Sequence, residues 1–161
     1  MAEIDLQIDC DVPPDKLAIL VMLLEQFLPE ASIPTVEHLC RIYVVADAAK
    51  DALVNELQGN KPGTYVAGDK SNACAFPVQK EAKLECYIIF GESFVQEIDP
   101  TYPYEGRSVL TLLEELYHVR LYSTLWEQEG YLYPASDLSC TAELRMICSA
   151  FRDEYIVNRW K

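Results

Sequence analysis

A chain of 161 residues that is 50% hydrophobic can bury one sizeable core, so a single domain over residues 1–161 is expected. Thirteen basic against 26 acidic residues leave a formal charge of −13, which repels phosphate backbones and anionic membrane surfaces and argues against nucleic acid as a partner. The charge suits a peptide or protein substrate or partner, and the longest apolar run, Ala18 to Leu24, is far shorter than the roughly 20 residues of a membrane span.

The alternating segment Ile4 to Ile8 precedes a helix expected from about Pro14 to Leu28, mostly apolar and therefore in the core, with Pro29 ending it. Pro34 opens a short turn or helix through His38. The β-branched run Arg41 to Ala46 then reads as a strand, and Asp47 is expected to cap a helix reaching Leu57. Gly59 to Gly63 is a turn. Two strands follow, Ala73 to Val78 and Leu84 to Phe90, the second ending at Gly91; the charged stretch Gln79 to Lys83 between them suits a hairpin. A loop from Asp99 to Gly106 leads into a long helix from about Arg107 to Gln128. Gly130 to Asp137 is another loop, and a last amphipathic helix runs from about Ser139 to Lys161. That helix has no terminating signal, as expected of the N-terminal part of a longer protein. The order predicts an α+β fold, a small and mostly antiparallel sheet packed with helices.

Six cysteines, Cys10, Cys40, Cys74, Cys86, Cys140 and Cys148, form no Cys-x-x-Cys pair and mostly sit among apolar neighbours. They read as buried reduced thiols of a cytoplasmic protein. The start Met1-Ala2-Glu3-Ile4-Asp5 is acidic where a signal peptide is basic.

The chemistry concentrates in Leu112-Leu113-Glu114-Glu115-Leu116-Tyr117-His118-Val119. It differs at one position from His-Glu-x-x-His, in which two metal ligands one helical turn apart flank a Glu acting as general base. Glu115 and His118 match, and Glu114 stands where the first His would be. With residues placed about 100° apart, Thr111, Glu114, Glu115, His118 and Tyr122 share one arc of a helix that is otherwise largely apolar. A solvated face would carry Lys, Gln and Glu in bulk, so this narrow stripe fits an inward-facing polar site.

Blander roles exist for each residue alone. Thr111 to Glu114 fits a capping box, Glu115 an exposed carboxylate, and His118 a hydrogen-bonded structural histidine. Glu143, near the start of the following helix, is the candidate third ligand; it would otherwise complement the positive end of its own helix. Asp153 and Glu154 are later alternatives. Of the two tyrosines that could hydrogen-bond an oxyanion, Tyr117 and Tyr122, only Tyr122 lies on the stripe. His38, beside Leu39 and Cys40, reads as structural. A di-iron carboxylate bundle would need a second Glu-x-x-His element, but Thr35 stands three residues before His38, and the strands argue against a bundle.

The strands Ile42 to Ala46 and Tyr87 to Gly91, the Glu114-Glu115-x-x-His118 helix and a following Glu143 together resemble a zincin-type metallopeptidase domain, most similar to the ImmA/IrrE-like peptidases. The similarity covers about Arg41 to Phe151, and only the helix motif in it is specific. It implies a long motif helix, zinc held by His118 and Glu143 with Glu114 in the first ligand position, and Glu115 polarising the attacking water. A carboxylate in place of His brings more negative charge, weakens the Lewis acidity available to water and favours harder metals. The rival expectation is therefore a catalytically inactive zincin-like fold acting as a regulatory or protein-interaction module.

Overall fold

The structure is a computed structural model that describes residues 5–27, 38–57, 72–80 and 83–101, and then 111, 112, 115, 116, 118, 119, 122, 123, 126 and 127. Its elements are β1 (Leu6–Ile8), α1 (Pro14–Phe27), β2 (Leu39–Val45), a 3-10 turn (Asp47–Ala49) running into α2 (Lys50–Leu57), β3 (Ala73–Lys80), β4 (Lys83–Gly91) and α3 (Glu92–Gln96). All described residues from 111 to 127 are helical.

The four strands form one sheet in the order β1-β2-β4-β3. β1 runs parallel to β2 (Leu6 beside Ile42) and β2 parallel to β4 (Val44 beside Phe90); only β3 is antiparallel (Cys74 beside Ile89). The α+β expectation holds, but the sheet is mixed rather than mostly antiparallel. The reason lies in the connections. Parallel neighbours need a crossover of a dozen or more residues, and α1 supplies one between β1 and β2. The alternating segment before α1 is itself the first strand, which its shortness had concealed. The expected hairpin is present as β3 and β4, and Pro77 is tolerated because β3 is the terminal strand of the sheet.

β2 and β4 are buried on both faces, as strands are when helices cover both sides. Alternation divides their side chains. Ile42, Val44, Ile88 and Phe90 join Leu20, Leu23 and Leu24 of α1, Phe94 and Val95 of α3, and Leu112, Leu116 and Val119 in one cluster. Tyr43, Val45, Tyr87 and Ile89 join Cys74, Phe76 and Val54 of α2 in the other. The spacing of Leu20, Leu23 and Leu24 puts all three on one helical stripe. Pro14 at the first position and Asp15 in the first turn of α1 form the expected start.

Asp47 does not cap the helix it precedes. Its Oδ1 accepts hydrogen bonds from the Ser93 backbone N–H (3.3 Å) and Ser93 Oγ (2.9 Å), so it caps α3, an element that the sequence reading did not contain. Parallel pairing explains the exchange: Val45 lies beside Gly91, so Asp47, two residues beyond the end of β2, comes to the start of the helix that follows β4. A Cβ at position 91 would overlap Asp47 Oδ1 and press on the Asn72 carbonyl, so a side chain there would displace the Asp47 carboxylate from α3.

Candidate functional site

The helical residues between 111 and 127 lie on the α1 side of the sheet, where Leu112 and Val119 are fully buried and Leu116 nearly so. Their spacing of three and four residues sets the orientation of the helix, and the polar stripe follows from it. Glu115 is only 7% exposed. Half-buried His118 follows one turn later, with its Nδ1 inside the protein. The His118 ring stacks on Tyr122, with centroids 6.3 Å apart and planes inclined by 23°. Tyr122 is itself 2% exposed and packs in the leucine-rich cluster. Farther along, Ser123 Oγ donates to the Val119 carbonyl at 2.8 Å, which satisfies a buried hydroxyl within its own helix.

Of the expected site residues, Glu115, His118 and Tyr122 thus share one segment and turn inward. Glu114, Glu143, Tyr117, Asp153 and Glu154 lie outside the described residues, as do the loop from Gly130 and the last helix. Among the described residues, no three His, Cys, Asp or Glu side chains form a group that could hold a metal ion.

Sequence reasoning missed one neighbour of Glu115 and one buried lysine. Burial pushes the Cys74 thiol up to about 12 from its ordinary 9.0; the Glu115 carboxylate adds to the rise, Lys50 opposes it and Asp51 contributes a little more. Glu115 therefore lies within electrostatic reach of the beginning of β3, the terminal strand. Lys50, the first residue of α2, is 4% exposed, its aliphatic stem drawn into the fold. Nothing in Ala48-Ala49-Lys50-Asp51 announces this, because the burial comes from packing between elements distant in the chain.

Cys74 and Cys86 are buried as expected. Cys40 is exposed, contrary to the reading of uniformly buried thiols, at a β-bulge between Leu39 and Arg41. The Cys10 thiol is raised by burial first and then by Glu92, Asp11, Asp47 and Asp9, the carboxylates around the ends of the parallel strands. Burial also raises Cys86, and it raises the Tyr87 phenol beside the Glu85 carboxylate that accepts its hydrogen bond at 3.2 Å.

The Cys74 thiol gives a test of this region. Because the fold holds its proton more tightly than the unfolded chain, its contribution to stability is complete below pH 9.0 and is lost as pH rises toward about 12. Urea unfolding of Cys74→Ala is expected to show a shallower decline above pH 9.0 than the parent chain; an equal slope would show that Cys74 ionises as freely in the fold as outside it.

His38, expected to be structural, faces two acceptors. Its Nε2 lies 2.9 Å from Glu127 Oε1, and its Nδ1 3.3 Å from the Leu84 carbonyl oxygen. Among the described residues no helix is long and apolar enough to cross a membrane. Comparison with protein-family models, with curated proteins and with solved structures gives no match to this chain.

Proposed function

We propose that the chain is a metallopeptidase-like domain that hydrolyses peptides with Glu115 as general base. The observation that carries this reading is the pairing of a buried carboxylate, Glu115 at 7% exposure, with an inward-turned imidazole, His118, one turn later on the same helical segment. One imidazole, His118, with the carboxylates of Glu114 and Glu143 would make a nitrogen and oxygen set that zinc accepts, although the added carboxylate shifts the preference toward harder metals. A metal bound there would supply Lewis acidity to the scissile carbonyl and to water. Glu115 takes the proton from the attacking water and passes it to the leaving amine, and its shielding from solvent favours this proton traffic. The stack on Tyr122 fixes the orientation of the His118 ring. Among the described residues β3 is the terminal strand, and its edge is one along which an extended peptide would lie.

The stack also supports a second reading. A ring packed on a core tyrosine suits a structural histidine, as expected of an inactive zincin-like fold that serves as a regulatory or interaction module. Metal analysis separates the two. Protein purified without chelator is expected to carry about one equivalent of zinc, and His118→Ala to lose it. Wild-type protein devoid of metal would remove the hydrolytic mechanism and leave the interaction module.

A further inference from the structure

Among the described residues, β1 ends the sheet on the side opposite β3. Asp5, Gln7, Ile8 and Asp9 are exposed there, and Ile8, at 40%, is the one exposed large hydrophobic side chain among the described residues. Asp9 N donates to the Val44 carbonyl and Ile42 N to the Asp5 carbonyl, so residues 5, 7 and 9 turn their backbone groups toward β2. With a period of two, the N–H and C=O groups of Leu6 and Ile8 point out of the sheet. The side chains divide in the same way. Leu6 packs against the cluster on the α1 side, and Ile8 projects to that face; Asp5, Gln7 and Asp9 project to the other. On that second face Arg41 donates to Asp5 Oδ2 at 3.0 Å and to Gln7 Oε1 at 3.2 Å. Asp9 accepts from Gln7 Nε2 at 2.8 Å, and among the described residues neither it nor Asp11 forms an ion pair with a Lys or Arg.

We propose that β1 is a docking edge for an extended basic segment of a partner protein, which adds a strand beside Leu6–Ile8 with an apolar side chain next to Ile8 and a Lys or Arg next to Asp9. The outward N–H and C=O groups of Leu6 and Ile8 supply the ladder, and the alternation of β1 sets the alternation of the segment. Charge selects the occupant. Asp9 and Asp11 are exposed carboxylates at the end of the strand, and the whole chain carries a formal charge of −13, so a cationic segment is attracted and an acidic one repelled. A second copy of this chain fits poorly. Antiparallel pairing of β1 with itself about Gln7 would set Asp5 of each copy opposite Asp9 of the other, and like charges directly opposite are destabilising. The edge lies across the sheet from β3, so docking depends neither on hydrolysis at Glu115 nor on a metal.

Amide NMR of the full chain tests it, with a synthetic peptide of about seven residues that alternates lysine and valine. The Leu6 and Ile8 amide signals are expected to shift, and their hydrogen exchange to slow as the peptide fills the edge. Ile8→Pro removes an outward N–H while leaving the bonds of residues 5 and 9 to β2, a position where an edge strand tolerates proline. It is expected to weaken binding about twofold to tenfold. Asp9→Asn, which keeps the strand and removes the charge, is expected to weaken it about twofold to fivefold. No binding, or unchanged affinity in either variant, overturns the proposal. Equal affinity for a peptide of the same composition with its lysines in one block does so too, since that is attraction without a strand. Shifts confined to Ala73–Val78 of β3, or self-association of the chain through the Leu6 and Ile8 amides, would overturn it by giving the other edge or another occupant.

Discussion

Replacing Glu115 with Gln is expected to lower peptide hydrolysis by about 10²-fold to 10⁴-fold while leaving the fold intact. Gln has nearly the volume of Glu and can fill the same buried position, which is 7% exposed, so packing around Leu112, Leu116 and Val119 is preserved. What it cannot do is accept a proton from water. The substitution therefore separates a base from a packing residue, which Glu115→Ala would not, since that change also opens a void. The assay is turnover of a peptide mixture by mass spectrometry, with the thermal midpoint recorded alongside. Unchanged turnover in Glu115→Gln would end the general-base role, whatever metal the protein holds. Unchanged partner binding by a variant whose parent cleaves nothing would favour the interaction module instead.

The second large effect concerns the sheet. Phe90→Ala is expected to cost about 3–5 kcal/mol, a large share of the roughly 5–15 kcal/mol that stabilises a typical domain. Phe90 has no exposed surface and stacks on Phe94 with ring centroids 4.4 Å apart. It also pairs across the sheet with Val44 on one side and Ala73 on the other. The ring thus ties β2, β3, β4 and α3 into the cluster that seats the 111–127 helical segment. Small neighbours such as Ala73 and Ala75 cannot expand to fill the space it would leave. Urea unfolding measures the loss; a change below about 1 kcal/mol would mean that this face is loosely packed. Because the same cluster holds Leu112 and Leu116, Phe90→Ala should also loosen the segment bearing Glu115.

Local periodicity carried much of the fold. The apolar run after Pro14, the β-branched run before Asp47 and the two strands flanking Gln79 to Lys83 were each visible because their signals are confined to adjacent residues. The inward-turned stripe was visible for the same reason. Glu115, His118 and Tyr122 lie at helical spacing, so their shared face follows from 3.6 residues per turn without knowledge of what the helix touches.

Strand order and direction were not legible, since β2 pairs with β4 across more than a helix of intervening chain and period-two alternation is the same in parallel and antiparallel strands. Asp47 shows the consequence in one residue. Its sequence context is that of a cap for the helix just after it, yet parallel pairing brings Ser93 within 2.9 Å and directs it to another helix. Cys74 came within reach of the Glu115 charge only through packing, and His38 met Glu127 across 89 residues. The sequence by itself determined which residues are apolar, where α1, β2, β3 and β4 lie, and that Glu115 and His118 share a helix face, because these are properties of neighbours in the chain. Only the tertiary structure decided the mixed sheet, the partner of Asp47 and the charges around Glu115, because burial and electrostatics depend on distance in space and not on distance along the chain.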